Sequence, residues 1–141
     1  MTVASDGIRV AVVVDPALPA GLLANTVATL SIGLGAAYPE LGDRALRDAA
    51  GRELRCSSNR PVPVLQASGD LLSGLMLKAL LGPPGAMVVP FPRFARDIHL
   101  FEDYRDRFGA IDLTEEIIDG IAILGPEKWV RSLTGNLKLL R

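Results

Sequence analysis

Seven residues stand where their type and position could do chemistry. Asp15 ends the apolar, β-branched run Ile8–Val14. Loops after such strands are where open α/β sheets bind ligands, although an Asp-Pro turn also suits aspartate without any function. Asn25 and Thr26 fall in the first turns of the next predicted helix. That is its positive end, where an anion or a carbonyl docks; capping, or a bond to the neighbouring loop, is the ordinary alternative. Thr134, Gly135 and Asn136 follow the last predicted helix. They either line a pocket beside the first loop or form a plain helix end, with Gly135 supplying a positive φ. His99 is the one histidine and follows Ile98 inside a helix predicted from Pro92 to Phe108. Glu102 and Asp103, three and four places on, are placed to orient it, or to pair with it on the surface. The candidate ligand-binding set is therefore Asp15, Asn25, Thr26, Thr134, Gly135 and Asn136, with His99 subsidiary.

Other chemistries find no support in the residues. No His/Cys group has metal-ligand spacing, so no metal is expected. Cys56, the one cysteine, can form no internal disulfide and sits beside Ser57 and Ser58 in a polar stretch. No glycine pattern for dinucleotides or nucleotide phosphates is present, and no cofactor is expected. Gly33-Leu34-Gly35 comes late in a helix and reads as close packing.

Strands and helices must hold these residues. Ile8–Val14 reads as a central strand covered on both faces. Leu23, Val27, Leu30 and Leu34 make one apolar stripe on a helix from Ala20 to Ala37, stopped by Tyr38-Pro39. Leu41–Arg60 reads as a long connection, with a short strand near Glu53–Cys56. Pro61–Ala67 is a strand whose prolines place its start at an edge. Ser68 is a plausible N-cap for a helix along Leu71, Leu72, Leu75, Ala79 and Leu80. Strands are expected at Ala86–Val89 and Ile117–Leu124, and a last helix begins at Pro126 with Trp129, Val130 and Leu133 turned inward. Alternating strands and helices predict an α/β domain: a three-layer α/β/α sandwich with a mixed sheet of about four strands, in one domain over residues 1–141.

The chain is 49% hydrophobic and 22% charged, with a net charge of −1 and pI about 5.8. That composition is globular. Acidic and basic residues are interleaved with no basic excess, which argues against a nucleic-acid partner. The plainest apolar runs, Val10–Val14 and Gly120–Leu124, fall far short of a membrane span. Met1–Gly7 lacks the layout of a signal peptide. A cytoplasmic location, with no membrane partner, is the expectation.

The two ends of the chain carry a resemblance. Gly120-Ile-Ala-Ile-Leu-Gly-Pro126, the helix after it and Thr134-Gly-Asn-Leu-Lys-Leu139 resemble the end of the type 2 peptidyl-tRNA hydrolases. Val10–Val14, Gly21–Thr26 and Gly35-Ala-Ala-Tyr38 resemble the start of the same proteins. The chain is more similar still to a bacterial group called domain of unknown function 2000. That likeness rests on Gly21-Leu-Leu-Ala-Asn-Thr26, Pro61-Val-Pro-Val-Leu65 and Leu133-Thr-Gly-Asn-Leu-Lys-Leu-Leu-Arg141. The resemblance implies a peptidyl-tRNA hydrolase II-like fold.

The hydrolase reaction is not carried over. Leu22 stands where the family has its catalytic lysine, and Ala20 where the preceding lysine falls. Asp103-Tyr104-Arg105-Asp106 stands in for the family's Asp-Ala-Gly-Arg-Thr motif without its small residues, and Gly120 replaces the threonine that opens the last strand. Three functions stay open: a scaffold binding a small ligand or partner, a hydrolase of esters or amides with a different catalytic set, and a structural dimerisation module. A homodimer is expected, because the Ala20–Ala37 helix carries Leu22, Ile32 and Ala36 off its main stripe and asks for cover on a second side. The other expected cover is the Leu41–Arg60 connection folding over that helix.

Overall fold

The computed structural model describes residues 6–141. Its centre is β1 (Ile8–Val14), where five consecutive residues from Val10 to Val14 are at most 1% exposed. A strand that apolar on both faces needs cover on both, and the chain supplies it. Val10, Val12 and Val14 face α1 (Ala20–Ala37) and its Leu30 and Leu34. Ala11 and Val13 face α2 (Gly69–Leu80) and α4 (Glu127–Thr134), through Leu72, Leu75, Met76 and Val130.

The sheet is mixed, in the order β4-β1-β6-β5. β4 (Val64–Gln66) runs parallel to β1, while β6 (Ile118–Pro126) lies antiparallel to both β1 and β5 (Met87–Pro92). Gly120–Leu124 of β6 are thus paired on both sides, and eight of the nine residues of the strand are buried. The expected α/β architecture, with helices on both faces of four strands, is what forms. The edges are managed differently. β5 carries Pro90 and Pro92, which have no N–H and are tolerated on an edge strand. β4 is covered by the chain's last residues, with Gln66 N–H donating to the Lys138 carbonyl (2.9 Å) and Leu140 N–H to the Val64 carbonyl (2.9 Å).

Several expectations are corrected. The helix expected over Pro92–Phe108 is broken into a 3-10 turn, Arg93–Asp97, and α3 (Phe101–Ala110). His99 lies between the two and outside any helix, so the one-turn spacing that was to bring Glu102 and Asp103 beside it does not hold. The Leu41–Arg60 connection forms a hairpin of β2 (Ala45–Arg47) and β3 (Glu53–Arg55), exposed along both strands. It reaches only the end of α1, where Leu41, Gly42, Ser57 and Ser58 border Ser31, Leu34 and Gly35. Leu22 and Ile32 stay 41% and 73% exposed, so that connection does not cover the outer side of α1. α1 has 18 residues, none charged, with a mean hydropathy of 1.4. On length and composition it passes as a weak membrane-span candidate, yet its Thr26, Leu30 and Leu34 are packed on the sheet. Trp129 is half-buried; its ring fills the space left by Gly82 and Gly125, where an added Cβ would fall 2.4 and 2.6 Å from it.

Arg60 anchors the start of β1. It is 3% exposed and donates to both carboxylate oxygens of Asp6 (2.9 and 2.8 Å), to the Ile8 carbonyl (2.9 Å) and to Asn59 (2.8 Å). The guanidinium holds the Asp6 carboxyl below its ordinary pKa.

Candidate functional site

Because β1 and β6 are antiparallel neighbours, the carboxyl end of β1 lies beside the opening of β6. Val14 pairs with Gly120, and Asp15 N–H donates to the Asp119 carbonyl (3.1 Å). On the other side of β6 the ladder slips. Phe91 pairs with Gly120 but Pro92 with Ile118, which leaves Asp119 as an extra residue. Such a bulge re-aims a side chain, and here it turns a carboxylate toward the residues that follow β5.

The Asp119 side chain is fully buried. Its Oδ1 accepts from Arg93 Nε (3.2 Å) and Nη2 (2.9 Å), and its Oδ2 accepts from Arg96 Nε (3.2 Å). A buried carboxylate is costly unless paired and hydrogen-bonded, and three charge-assisted bonds meet that need. Arg96 is fixed from two further sides. Its Nη2 donates to Thr26 Oγ1 (2.6 Å), and its guanidinium lies 4.6 Å above the centre of the Phe91 ring. Thr26 is fully buried, and its hydroxyl donates onward to the Leu22 carbonyl (2.8 Å). Gly120 lets α1 settle this close: an added Cβ would meet Thr26 Cγ2 at 2.8 Å and Leu30 Cδ1 at 3.2 Å.

Arg93 is the outer member, with half of its side chain (51%) exposed. The Asp119 hydrogen bonds, and then the Asp119 and Asp15 charges, push its pKa above even the ordinary arginine value, so it is always charged. Asp15 stays out of ion-pair contact among the described residues. Its Oδ1 accepts from Ala17 N–H (2.9 Å), and its Oδ2 stands 3.9 Å from where a Gly69 Cβ would lie, at the start of α2.

Beside this centre runs a groove of about 590 Å³. Thr29, Ile32 and Gly33 of α1 form one wall, Val89, Pro90 and Phe91 the floor, and the segment Ala95–Tyr104 the other wall. Phe91 is common to both features: Arg96 covers its face, and it lines the groove. Tyr104 packs among Phe94, Phe101 and Phe108 at 5.8–6.4 Å between ring centres, and burial pushes its phenol above its ordinary pKa. His99 is exposed, lines the groove and makes no ion pair among the described residues; Glu102 pairs with Arg105 instead.

The residues singled out in the sequence divide. Thr26 and Asp15 both adjoin the centre, Thr26 through Arg96 and Asp15 through the Asp119 backbone. Asn25 is exposed, with no side-chain hydrogen bond among the described residues. Thr134 lies on α4, across the sheet from α1, where its hydroxyl donates to the Val130 carbonyl (2.8 Å). Gly135 does not supply a positive φ. Its φ is −64°, and glycine is needed because a Cβ would fall 2.8 Å from the Arg131 carbonyl. Asn136 does come beside the first loop, in a shallow crevice of about 270 Å³ with Pro16 and Ser68. The sequence reading does not include Asp119, Arg93 or Arg96. One signal was available: a charged residue lying inside an otherwise apolar strand and followed by glycine. Among the described residues no group of His, Cys, Asp and Glu is arranged to hold a metal.

The fold is thus an α/β domain with a mixed four-stranded sheet and four helices. Residues 8–141 match the family described as protein of unknown function, DUF2000, and the chain belongs to it. No curated protein matches the chain. A solved structure of a protein of unknown function from Agrobacterium tumefaciens is similar, with a TM-score of 0.84 and 20% identity, covering 94% of this chain and 97% of that one. At that identity the likeness speaks for the fold alone.

Proposed function

We propose that this domain is a small-ligand-binding protein, built on a peptidyl-tRNA hydrolase II-like scaffold that lacks the hydrolase residues, with the groove between α1 and α3 as its site. The groove carries the reading. Its volume, about 590 Å³, lies within the roughly 300–1,000 Å³ of small-molecule sites, which pair apolar walls with a few polar groups. Thr29, His99 and Tyr104 are the polar groups here, among aliphatic and aromatic neighbours. Leu22 on the exposed side of α1 offers no proton donor where the hydrolases have a lysine.

The test is a fluorimetric melting screen of metabolites against the wild type and Thr29→Trp, whose indole would fill the groove from an exposed position on α1. A ligand that raises the wild-type melting temperature and leaves the variant unmoved supports the groove. Ligands that stabilise both proteins equally would move the site elsewhere, and no ligand at all would end this reading.

Homodimerisation is the second reading, and one observation favours it. α1 has no charged residue, and Ile32 on its outer side is 73% exposed, near the exposed Leu100 and Phe101 across the groove. Light scattering at micromolar concentration should give about twice 15.0 kDa, falling in Ile32→Glu; a mass near 15.0 kDa without concentration dependence refutes the dimer.

A further inference from the structure

Two guanidiniums share one buried carboxylate at the opening of β6, and the outer one is not saturated. Arg93 spends Nε and Nη2 on Asp119. Its Nη1 has no protein acceptor among the described residues, and half of the side chain is in solvent. The guanidinium plane is held from behind: Asp119 is locked into the bulge, its far oxygen accepts from Arg96, and Thr26 and Phe91 hold Arg96 in turn. A fork fixed in this way loses little freedom when it binds.

We propose that Arg93 is a receptor for a small oxyanion, a carboxylate or a phosphate group, at the end of the sheet where β6 opens, beside Asp15. This site is distinct from the groove and stands whether or not the groove binds anything. Asp119 is used up by three N–H donors, so the pair of arginines keeps one unit of positive charge without a contact partner. Asp15 is close enough to act on the Arg93 charge but makes no ion pair with it. Its negative charge works against an incoming anion. It therefore sets the strength of the site, and removing that charge strengthens binding.

Inorganic phosphate and acetate are the two probes, each titrated at constant ionic strength while amide and arginine Nε–H signals are followed by two-dimensional NMR. Saturable shifts at Arg93, Asp15 and Ile117, whose carbonyl accepts from Arg93 N–H (2.8 Å), are expected with at least one probe. The probe that saturates tells phosphate from carboxylate recognition. Arg93→Gln should abolish the saturable shifts, Asp15→Asn should tighten the apparent Kd severalfold, and Thr29→Trp should leave it unchanged. Should Arg93→Gln fail to fold, Arg93→Lys decides, since loss of the fork should weaken binding severalfold. Shifts that never saturate, survive Arg93→Gln, keep full strength in Arg93→Lys or weaken in Asp15→Asn overturn the proposal.

Discussion

Replacing Asp119 by asparagine keeps the shape of the side chain and removes its charge. In the native protein one oxygen takes two bonds from Arg93 and the other takes one from Arg96. The new side-chain amide would retain one acceptor and turn a pair of N–H donors toward the other guanidinium. Arg96 has only 14% of its side chain exposed, so its bond to the carboxylate counts almost in full. A bond to a charged group contributes about 1.5–3 kcal/mol, and about 2 kcal/mol is assigned here. Arg93 is 51% exposed, and water takes over most of its role, so about 1 kcal/mol is assigned to it after screening. The sum, about 3 kcal/mol, sits at the low end of the ~3–5 kcal/mol for breaking a buried pair. For a chain of 141 residues that corresponds to a fall of roughly 10–15 °C in Tm. Urea unfolding should show a lower midpoint with an unchanged slope. Arg131→Gln is the control: its pair with Glu127 is exposed on both sides and should cost less than about 1 kcal/mol. If Asp119→Asn costs no more than that control, the centre does not hold the edge of the sheet together and its energetic description is wrong.

Gly120→Ala places a methyl group 2.8 Å from Thr26 Cγ2 and 3.2 Å from the Val13 carbonyl oxygen; Thr26 is bonded on both sides and cannot turn away, so calorimetry should show a loss of about 1–3 kcal/mol. Trp129→Ala empties the half-buried space over Gly82 and Gly125 and should cost about 3 kcal/mol, the lower bound for large aromatic truncations; an unchanged Tm would mean the ring does not pack there. Asp6 has a folded pKa below its unfolded one, so its contribution is present above the ordinary carboxylate range and is lost as pH falls through the folded value. Asp6→Asn should therefore lower stability near neutral pH and flatten the acid side of the stability curve, and an acid limb identical to that of the wild type refutes the link. On the proposed likeness to the type 2 peptidyl-tRNA hydrolases, Leu22 and Gly120 would stand in two of that family's catalytic positions, and peptidyl-tRNA should not be turned over; cleavage of a model N-acyl-aminoacyl-tRNA at ~1 per second or faster would contradict this.

Hydrophobic pattern made the frame of this domain legible in its sequence. The apolar runs Val10–Val14 and Gly120–Leu124 mark β1 and β6, and α1 shows its apolar stripe at Leu23, Val27, Leu30 and Leu34. The site was far less legible, because its members are set by register and by long-range pairing. Asp119 falls inside the strand expected at Ile117–Leu124, close after Glu115 and Glu116, and nothing local says which charges it meets. Only the one-residue slip between β5 and β6 buries it. Arg93 and Arg96 look like the solvent side of a helix, and they meet Asp119 because the chain forms a tight 3-10 turn there instead. The sequence marks Thr26 by its place near the positive end of a helix, yet its partner comes from Arg96, 70 residues away. Local propensity carries no information about a contact of that span.

Pro90 and Pro92 also bear on how this protein meets other copies of itself. A sheet grows from one molecule into the next only where an edge offers a row of N–H donors, and β5 has two gaps in six residues. The opposite edge, β4, is already occupied by the chain's own Leu139 and Leu140. Neither side of the sheet is left as a template for strand addition. Association through the four-stranded sheet is closed in this way, which leaves the exposed helix side chains and the separate β2–β3 hairpin as the surfaces for it. A chain with a mean hydropathy of +0.30 can in this way present an uncharged helix to solvent without its main sheet inviting strand-by-strand growth.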